Sequence, residues 1–153
     1  MIADFLVARA VRVIQGGIDQ KRALDLISEI AAADYGLDKS AVLETLEARE
    51  ALGSTGVGNG VALPHGRLES ASETRGVFLR LERPIDFGAL DRKPVDLIFA
   101  LFSPVISNVE HLKALAQVAR TLRNPAICEK LRANSDAVTL HAILTEGEAI
   151  RAA

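Results

Sequence analysis

The stretch Val95-Asp-Leu-Ile-Phe-Ala-Leu-Phe102 decides the fold class. It is rich in residues that favour strands, and only Asp96 interrupts its apolar run. A strand of this kind is typical of the centre of a sheet that is covered on both faces. Helical patterns both precede and follow it in the sequence. We therefore expect an α/β layered sandwich, in which a small mixed β-sheet is flanked by helices on both faces.

The segments outside this strand carry the helical patterns. Periodicity and cap residues predict helices over residues 19–35, 38–52 (or 40–52), 108–122, 127–132 and 135–147. Asn108 and Ser135 are the expected N-caps of the third and fifth helices, and Gly147 is expected to close the last one. Between the two helical groups a half-buried strand is predicted, because Val77, Leu79 and Leu81 alternate with Phe78, Arg80 and Glu82.

The composition indicates a single globular domain over residues 1–153. Hydrophobic residues make up 49% and charged residues 25%, which excludes wholesale disorder, and the net charge of −2 offers no general attraction to nucleic acid or anionic membranes. Cys128 is the only cysteine and no signal peptide is evident, so we expect a cytoplasmic protein. The longest unbroken apolar run, residues 97–102, is far too short to cross a bilayer, and we expect no membrane insertion.

A glycine-dense loop, Gly53-Ser-Thr-Gly-Val-Gly-Asn-Gly60, is the most conspicuous local feature. It fails as a nucleotide-binding loop, because Asn59 and Gly60 stand where a Walker A motif needs lysine and a hydroxyl residue. The glycines permit two interpretations: successive N–H groups can converge on an anion, or the loop is an irregular connection with tight bends.

The three histidines differ in their sequence surroundings. His65 lies between Pro64 and Gly66, where the backbone can position its ring for a function; the alternative is a solvated turn residue. His111 starts the apolar stripe of its helix, so it is either a core histidine bonded to a backbone carbonyl or a neutral donor to a phosphoryl oxygen at a helix N-terminus. His141 falls within the apolar arc of its own helix and is interpreted as structural.

Three further side chains are candidates because they adjoin the glycine loop. Arg49 either complements the dipole at the end of the second helix or offers a fixed positive fork to phosphate. Ser54 and Thr55 are either ordinary turn residues or hydroxyl donors to the same oxygens. We expect no metal, because the spacing of histidines and carboxylates matches no metal-binding motif.

The stretch from Arg49 to Leu68, with Gly-Asn-Gly followed by Pro-His-Gly-Arg-Leu, strongly resembles a known family. The family is enzyme IIA of the phosphoenolpyruvate-dependent sugar phosphotransferase system, fructose/mannitol type, and the likeness is greatest to its nitrogen-related branch. Weaker similarity extends along most of the chain. It includes residues 21–24, 81–87 and 94–97 and the start of the helix that carries His111.

The resemblance implies that His65 is phosphorylated, on its Nε2 (tele) nitrogen, by a histidine-containing phosphocarrier protein (HPr/NPr-like). It implies that Arg49 and His111 flank His65 and stabilise the phosphoryl group. Some relatives carry a second histidine two residues beyond the His111 position; Lys113 stands there in this chain, so no role that needs that histidine is transferred.

This chemistry needs an unprotonated ring nitrogen as the nucleophile and donors for the phosphoryl oxygens. The donors expected from the loop are Ser54, Thr55, Gly58, Asn59 and Gly60. No metal, nucleotide or other cofactor is required. We therefore expect a phosphotransferase component that passes through a phosphohistidine, rather than a stand-alone enzyme, with a regulatory role toward targets such as transporters or sensor kinases.

Two other functions remain open at this stage. One is the IIA component of a fructose/mannitol-type sugar uptake system. The other is an allosteric protein-binding module that acts independently of phosphorylation. A small hydrolase that uses His65 as a general base is disfavoured, because no nucleophile or oxyanion partner is placed beside it in the sequence.

Overall fold

A computed structural model describes the backbone of residues 1–152 and the side chains of residues 1–146. Two short 3-10 helices, Ile2–Asp4 and Ala8–Ala10, come first. The strands are β1 (Val11–Ile14), β2 (Gly56–Gly58), β3 (Val61–Ala62), β4 (His65–Leu68), β5 (Arg75–Ile85) and β6 (Val95–Pro104). The helices are α1 (Gln20–Tyr35), α2 (Lys39–Ala51), α3 (Asn108–Leu122), α4 (Pro125–Ala133) and α5 (Ala137–Ala152).

The described strands form one six-stranded mixed sheet in the order β1-β5-β6-β3-β2, and β4 pairs with a further part of β6. The central strand β6 runs antiparallel to β5 on one side and parallel to β3 and β4 on the other. Residues 97–102 of this strand are completely buried. The apolar segment identified in the sequence is therefore the centre of the sheet, as predicted.

Strands β3 and β4 form a single extended line beside β6. Val61 pairs with Leu97 and His65 pairs with Leu101, so the register is unchanged across Leu63 and Pro64. The line is interrupted because proline has no N–H to donate, although the carbonyl of Pro64 still accepts a bond from Leu101 N at 3.0 Å. His65 is thus the first residue of a strand and not the turn residue of the alternative interpretation.

Helices cover both faces of the sheet, as the register near β4 shows. Gly66 pairs with Phe102, and the next pair, Arg67 and Ser103, points to the opposite face. A Cβ on Gly66 would run into Thr45 of α2, whereas the Ser103 side chain contacts His111 of α3. Helices α2 and α3 therefore lie on opposite faces, and the predicted α/β sandwich is confirmed.

Helix α4 begins at Pro125, two residues earlier than predicted, and the predicted ends of α3 and α5 also differ from the structure. Asn108 is the first residue of α3 rather than its cap, and its side-chain oxygen accepts a bond from Arg67 instead. The cap of α5 is Asp136 rather than Ser135, because the Asp136 carboxylate accepts the Thr139 N–H at 3.1 Å. Gly147 does not close α5, which continues to residue 152; a glycine inside a helix costs only about 1 kcal/mol relative to alanine.

The half-buried pattern predicted around residues 77–82 holds only for the second half of β5. Phe78, assigned to the solvent face, is completely buried. The reason is that helices cover both faces of the sheet, so Phe78 lies in the core cluster, where its ring contacts that of Phe99 on β6.

The buried apolar side chains of the described residues form one core cluster, which includes side chains from the sheet and from all five helices. Over the same part of the chain, no helix has both the length and the apolar character that a membrane span requires.

Candidate functional site

A hydrogen bond to a nearby backbone carbonyl holds the ring of His65. Its Nδ1 lies 2.7 Å from the carbonyl oxygen of Leu63, two residues earlier. A carbonyl oxygen can only accept, so Nδ1 carries the proton and donates it. In the neutral ring Nε2 then has the lone pair, and it has no hydrogen-bond partner among the described residues. The strand therefore presents an unprotonated ring nitrogen.

His111 lies beside His65, at the start of α3. The two ring centroids are 5.7 Å apart and the rings are tilted by 46°. His111 is almost completely buried, and its Nδ1 lies 2.7 Å from the hydroxyl oxygen of Ser103 on β6. The partner of this histidine is thus a buried side-chain hydroxyl and not the backbone carbonyl that one interpretation predicted.

The surroundings of His111 lower its pKa below the ordinary value of 6.5. Burial contributes most, because it penalises the charged ring, and the neighbouring His65 and Arg67 act in the same direction. His111 is therefore neutral near pH 7 and offers either one donor or one acceptor nitrogen to the space beside His65.

Arg49, His65 and His111 line one pocket of about 430 Å³. Arg49 belongs to the last turn of α2, where its Nη1 donates to the carbonyl oxygen of Gly53 at 2.9 Å. None of the residues that line this pocket is acidic. The three residues named from the sequence as a phosphate-handling group are thus brought together around a space that suits an anion.

Arg67 is a member of this site that the sequence interpretation did not include. It lines the same pocket and is two residues from His65 on β4, so both side chains project to the same face of the strand. Its guanidinium donates to the side chain of Asn108 at the start of α3. The period-two spacing would have indicated Arg67 if residues 65–68 had been predicted as a strand.

The glycine loop is not brought to the pocket. None of Ser54, Thr55, Gly58, Asn59 and Gly60 lines it. The Ser54 hydroxyl donates to the carbonyl oxygen of Phe87 at 2.6 Å, and the Thr55 hydroxyl and N–H both bond to the carboxylate of Glu50.

The rest of the loop is similarly engaged. The Asn59 N–H donates to the Asp91 carboxylate at 3.0 Å, and the Gly60 carbonyl accepts bonds from two residues of β6. Positive φ angles at Gly58, Asn59 and Gly60 turn the chain between β2 and β3. In this structure the loop therefore serves as a tight connection, and the donors that remain for a phosphoryl group are Arg49, Arg67 and His111.

His141 lies outside the pocket and has a structural contact. Its Nε2 is 2.8 Å from the carbonyl oxygen of Leu6, which joins α5 to the N-terminal segment. Among the described residues, no group of three or more histidine, cysteine, aspartate or glutamate side chains is arranged to hold a metal ion.

Two exposed leucines stand at the pocket. Leu52 at the end of α2 is 85% exposed and Leu112 in α3 is 61% exposed, and both line it together with His65. Large apolar side chains that are exposed beside a polar pocket are typical of a surface where another protein docks.

Comparison with known proteins agrees with this geometry. Residues 5–147 match the family described as "Phosphoenolpyruvate-dependent sugar phosphotransferase system, EIIA 2". A nitrogen regulatory protein of Bradyrhizobium diazoefficiens is 43% identical over 143 residues, which cover 94% of each chain. A nitrogen regulatory protein of Klebsiella oxytoca is 48% identical over 128 residues, 83% of this chain and 79% of that relative.

The fold agrees as well. The crystal structure of nitrogen regulatory protein IIA-Ntr from Neisseria meningitidis superposes with a TM-score of 0.87 at 37% identity, covering 94% of this chain and 99% of that chain. The resemblance inferred from the motif around His65 is confirmed by these matches. This chain belongs to the EIIA type 2 family of the phosphoenolpyruvate-dependent sugar phosphotransferase system.

Proposed function

We propose that this chain is a phosphocarrier in which Nε2 of His65 accepts a phosphoryl group from a histidine-containing phosphocarrier protein. The observation that carries the proposal is the hydrogen bond from His65 Nδ1 to the Leu63 carbonyl. It fixes the tautomer whose free nitrogen is the nucleophile, in a pocket that contains cations and no carboxylate.

The transfer is a displacement at phosphorus. Nε2 of His65 uses its lone pair to form the new P–N bond, and the donor imidazole leaves with the electron pair of the old one. The proton on Nδ1 of His65 stays on the ring, where the Leu63 carbonyl stabilises the positive charge that develops. The protein's task is to align the two rings and stabilise charge on the phosphoryl oxygens.

Three groups can stabilise the charge on the phosphoryl oxygens. Arg49 and Arg67 approach from α2 and β4, and His111 approaches from α3. Two fixed cations compensate the charge of the phosphoryl group, and a neutral imidazole N–H adds a hydrogen bond without the desolvation cost of another buried charge. No metal or nucleotide takes part in this scheme.

The partner would dock on the surface around His65. Leu52 and Leu112 provide apolar contacts beside the reacting nitrogen, and the two arginines provide a polar rim. We expect the donor to present its own phosphohistidine within a complementary apolar patch, so that docking excludes water from the transfer.

A regulatory role follows from the charge that the modification adds. A phosphoryl group brings a charge of about −1.5 to −2 to the docking surface, which changes the partners that this surface accepts. The three similar proteins reported above are all named nitrogen regulatory proteins, and this supports regulation over sugar uptake. We infer a cytoplasmic protein whose phosphorylation state controls its binding to targets such as transporters or sensor kinases.

The test is phosphorylation in solution. The protein is incubated with phosphoenolpyruvate and the upstream phosphocarriers, and its intact mass is measured. We expect one phosphoryl group on the wild type and on the control His141→Ala, and none on His65→Ala. An equal gain by His65→Ala would show that the nucleophile lies elsewhere.

A binding comparison separates a phosphorylation switch from a module that ignores phosphorylation. Wild type, His65→Ala and the charged variant His65→Asp are each used to capture a regulatory target. The switch predicts that His65→Asp binds differently from the other two. Equal capture by all three would favour the module.

A further inference from the structure

A chain of side-chain hydrogen bonds leads away from His111 into the sheet. His111 Nδ1 lies 2.7 Å from Ser103 Oγ, and Ser103 Oγ lies 3.2 Å from Thr74 Oγ1. The register explains this alignment: Arg75 pairs with Phe102, so Thr74 falls beside Ser103 at the next position of the antiparallel pair. The three side chains come from the residue before β5, the end of β6 and the start of α3.

The middle of this chain is sealed from solvent. Ser103 has no exposed surface, and His111 is only 4% exposed. A buried hydroxyl must find its partners within the protein, since an unmade hydrogen bond in the interior costs about 1–3 kcal/mol. The two neighbours of Ser103 Oγ are His111 Nδ1 and Thr74 Oγ1, so its single proton must go to one of them.

Two proton arrangements satisfy these distances. In the first, Thr74 donates to Ser103 and Ser103 donates to Nδ1 of His111, which leaves the His111 proton on Nε2. In the second, Nδ1 of His111 carries the proton and donates it to Ser103, and Ser103 donates to Thr74. The arrangements differ in what His111 presents to the pocket: a donor N–H in the first, a lone pair in the second.

We propose that Thr74 and Ser103 are positioning residues that hold neutral His111 in its Nε2–H tautomer, so that it donates a hydrogen bond to the phosphoryl group on His65. The inference rests on the proposed function, because it names the state that His111 needs for that role. The reversed arrangement would aim a lone pair at the oxygens of an anion, which is repulsive. Both arrangements satisfy the buried atoms of the chain, but only the first places a donor beside the phosphoryl oxygens.

The tautomer of His111 is important because the neutral ring has only one N–H to donate. In the unphosphorylated protein the pKa of His111 is lowered by burial and by His65 and Arg67, so the ring is neutral before the transfer. A neutral imidazole has one N–H, and its placement decides whether His111 helps or opposes the phosphoryl group. Removing a hydrogen-bond partner that fixes the tautomer of a metal-bound histidine lowers metal affinity or activity about 10- to 100-fold. We expect an effect of similar size on the rate of His65 phosphorylation.

The direct test is nitrogen NMR of the unphosphorylated protein labelled with 15N-histidine. Signals are assigned with His111→Gln and His141→Gln, at a pH where His111 is neutral. The proposal predicts a pyridine-type shift at Nδ1 and a pyrrole-type shift at Nε2 of His111. The opposite pattern overturns it, because Nδ1 would then be the donor to Ser103.

Matched variants test the two hydroxyls. Thr74→Val removes the hydroxyl at constant shape, Thr74→Ser keeps it, and Ser103→Ala deletes the middle of the chain. We expect the His111 shifts to move toward the average of the two tautomers in Thr74→Val and Ser103→Ala, and to stay as in the wild type in Thr74→Ser. Unchanged shifts in both deletion variants would contradict the proposal.

Kinetics complete the test. Phosphorylation of His65 should slow about 10-fold in Ser103→Ala and remain near wild type in Thr74→Ser. A wild-type rate in Ser103→Ala would overturn the positioning role. The NMR measurement needs no phosphoryl donor, so it distinguishes the failure of this inference from the failure of the phosphocarrier function.

Discussion

The two ring nitrogens of His65 have different surroundings, and the chemistry depends on that difference. One nitrogen is committed to the Leu63 carbonyl, and the other is left without a partner among the described residues, beside Arg49 and His111. A backbone acceptor suits this purpose because it cannot donate and therefore permits only one tautomer. Arg49 and His111 are therefore the residues that we expect to contact the phosphoryl oxygens.

Arg49 should be a charge-stabilising residue. In Arg49→Gln the pocket loses a fixed cation and a two-pronged donor, so we expect the rate of His65 phosphorylation to fall by about 100-fold. Arg49→Lys keeps the charge but not the fork, and an intermediate rate is expected. Stopped-flow or quench-flow transfer from the phosphorylated donor measures both. Equal rates in Arg49→Gln and the wild type would remove this residue from the mechanism.

His111 should leave a signature in the pH dependence of stability. Its pKa lies below 6.5 in the folded protein, whereas the unfolded chain has the ordinary value. As the pH falls through 6.5, the unfolded chain takes up a proton that the folded protein does not. The free energy of unfolding should therefore decrease with falling pH in this range.

The measurement is urea denaturation on either side of that pH. His111→Gln removes the titrating group, so its stability should depend less steeply on pH than that of the wild type. The slope is the readout, because the substitution also changes packing. A slope identical in the two proteins would show that burial does not hold the ring neutral.

At the scale of the elements, the site depends on how closely α2 approaches β4. A Cβ at Gly66 would overlap Cγ2 of Thr45, so any other residue at this position would require Thr45 or α2 to move. Because α2 also carries Arg49, this contact sets the distance between the guanidinium and the strand that begins with His65. Helix α3 on the opposite face fixes His111 independently.

Gly66→Ala should push α2 away from the sheet. We expect a loss of about 1–3 kcal/mol in the free energy of unfolding from overpacking, together with slower phosphorylation as Arg49 moves. Adding Thr45→Ser removes the overlapping methyl group, so the double variant should recover most of both losses, and Thr45→Ser alone is the control. Thermal melts and transfer kinetics are the measurements; a double variant as impaired as Gly66→Ala would rule out this steric explanation.

The individual elements also show which parts of the fold can be predicted from sequence patterns. Helix α1 and strand β6 contain their own signals: a cap and a closing glycine in the helix, and an unbroken apolar run in the strand. Strands β2, β3 and β4 have two to four residues each and exist because they pair along β6 or with each other, so no local pattern predicts them.

The candidate site divides in a similar way. Arg49 and His65 could be predicted because they share one distinctive stretch of sequence, and His111 could be predicted from its place at a helix start together with the family resemblance. Ser103 lies at the end of an apolar strand and has no local signal. Its contact with His111 is made only by the packing of α3 on the sheet.

For the molecule as a whole, we propose that residues 1–153 form one domain, with its parts joined by contacts across the sheet. Helix α4 is attached near the start of β6, whereas the pocket lies near the end of that strand. Arg132 of α4 donates to both oxygens of Asp96 on β6 and to the carbonyl oxygen of Asn59. This contact attaches α4 to the turn between β2 and β3. None of the residues in this contact lines the pocket of the phosphate-handling residues.

Removing this attachment should reduce stability without affecting the chemistry. We expect Arg132→Gln to lower the free energy of unfolding by about 1 kcal/mol, because a partly exposed ion pair with good geometry lies at the upper end of the surface range. The rate of His65 phosphorylation should stay at the wild-type value. Urea denaturation and the transfer assay are compared, and a large loss of rate in a folded protein would mean that α4 communicates with the site.

The central claim is that a single atom, Nε2 of His65, takes up the phosphoryl group. The most direct measurement is NMR of the phosphorylated, 15N-histidine-labelled protein, in which coupling between phosphorus and nitrogen identifies the bonded atom. The account predicts coupling to Nε2 of His65. Coupling to Nδ1 of His65, or to either nitrogen of His111, would contradict it.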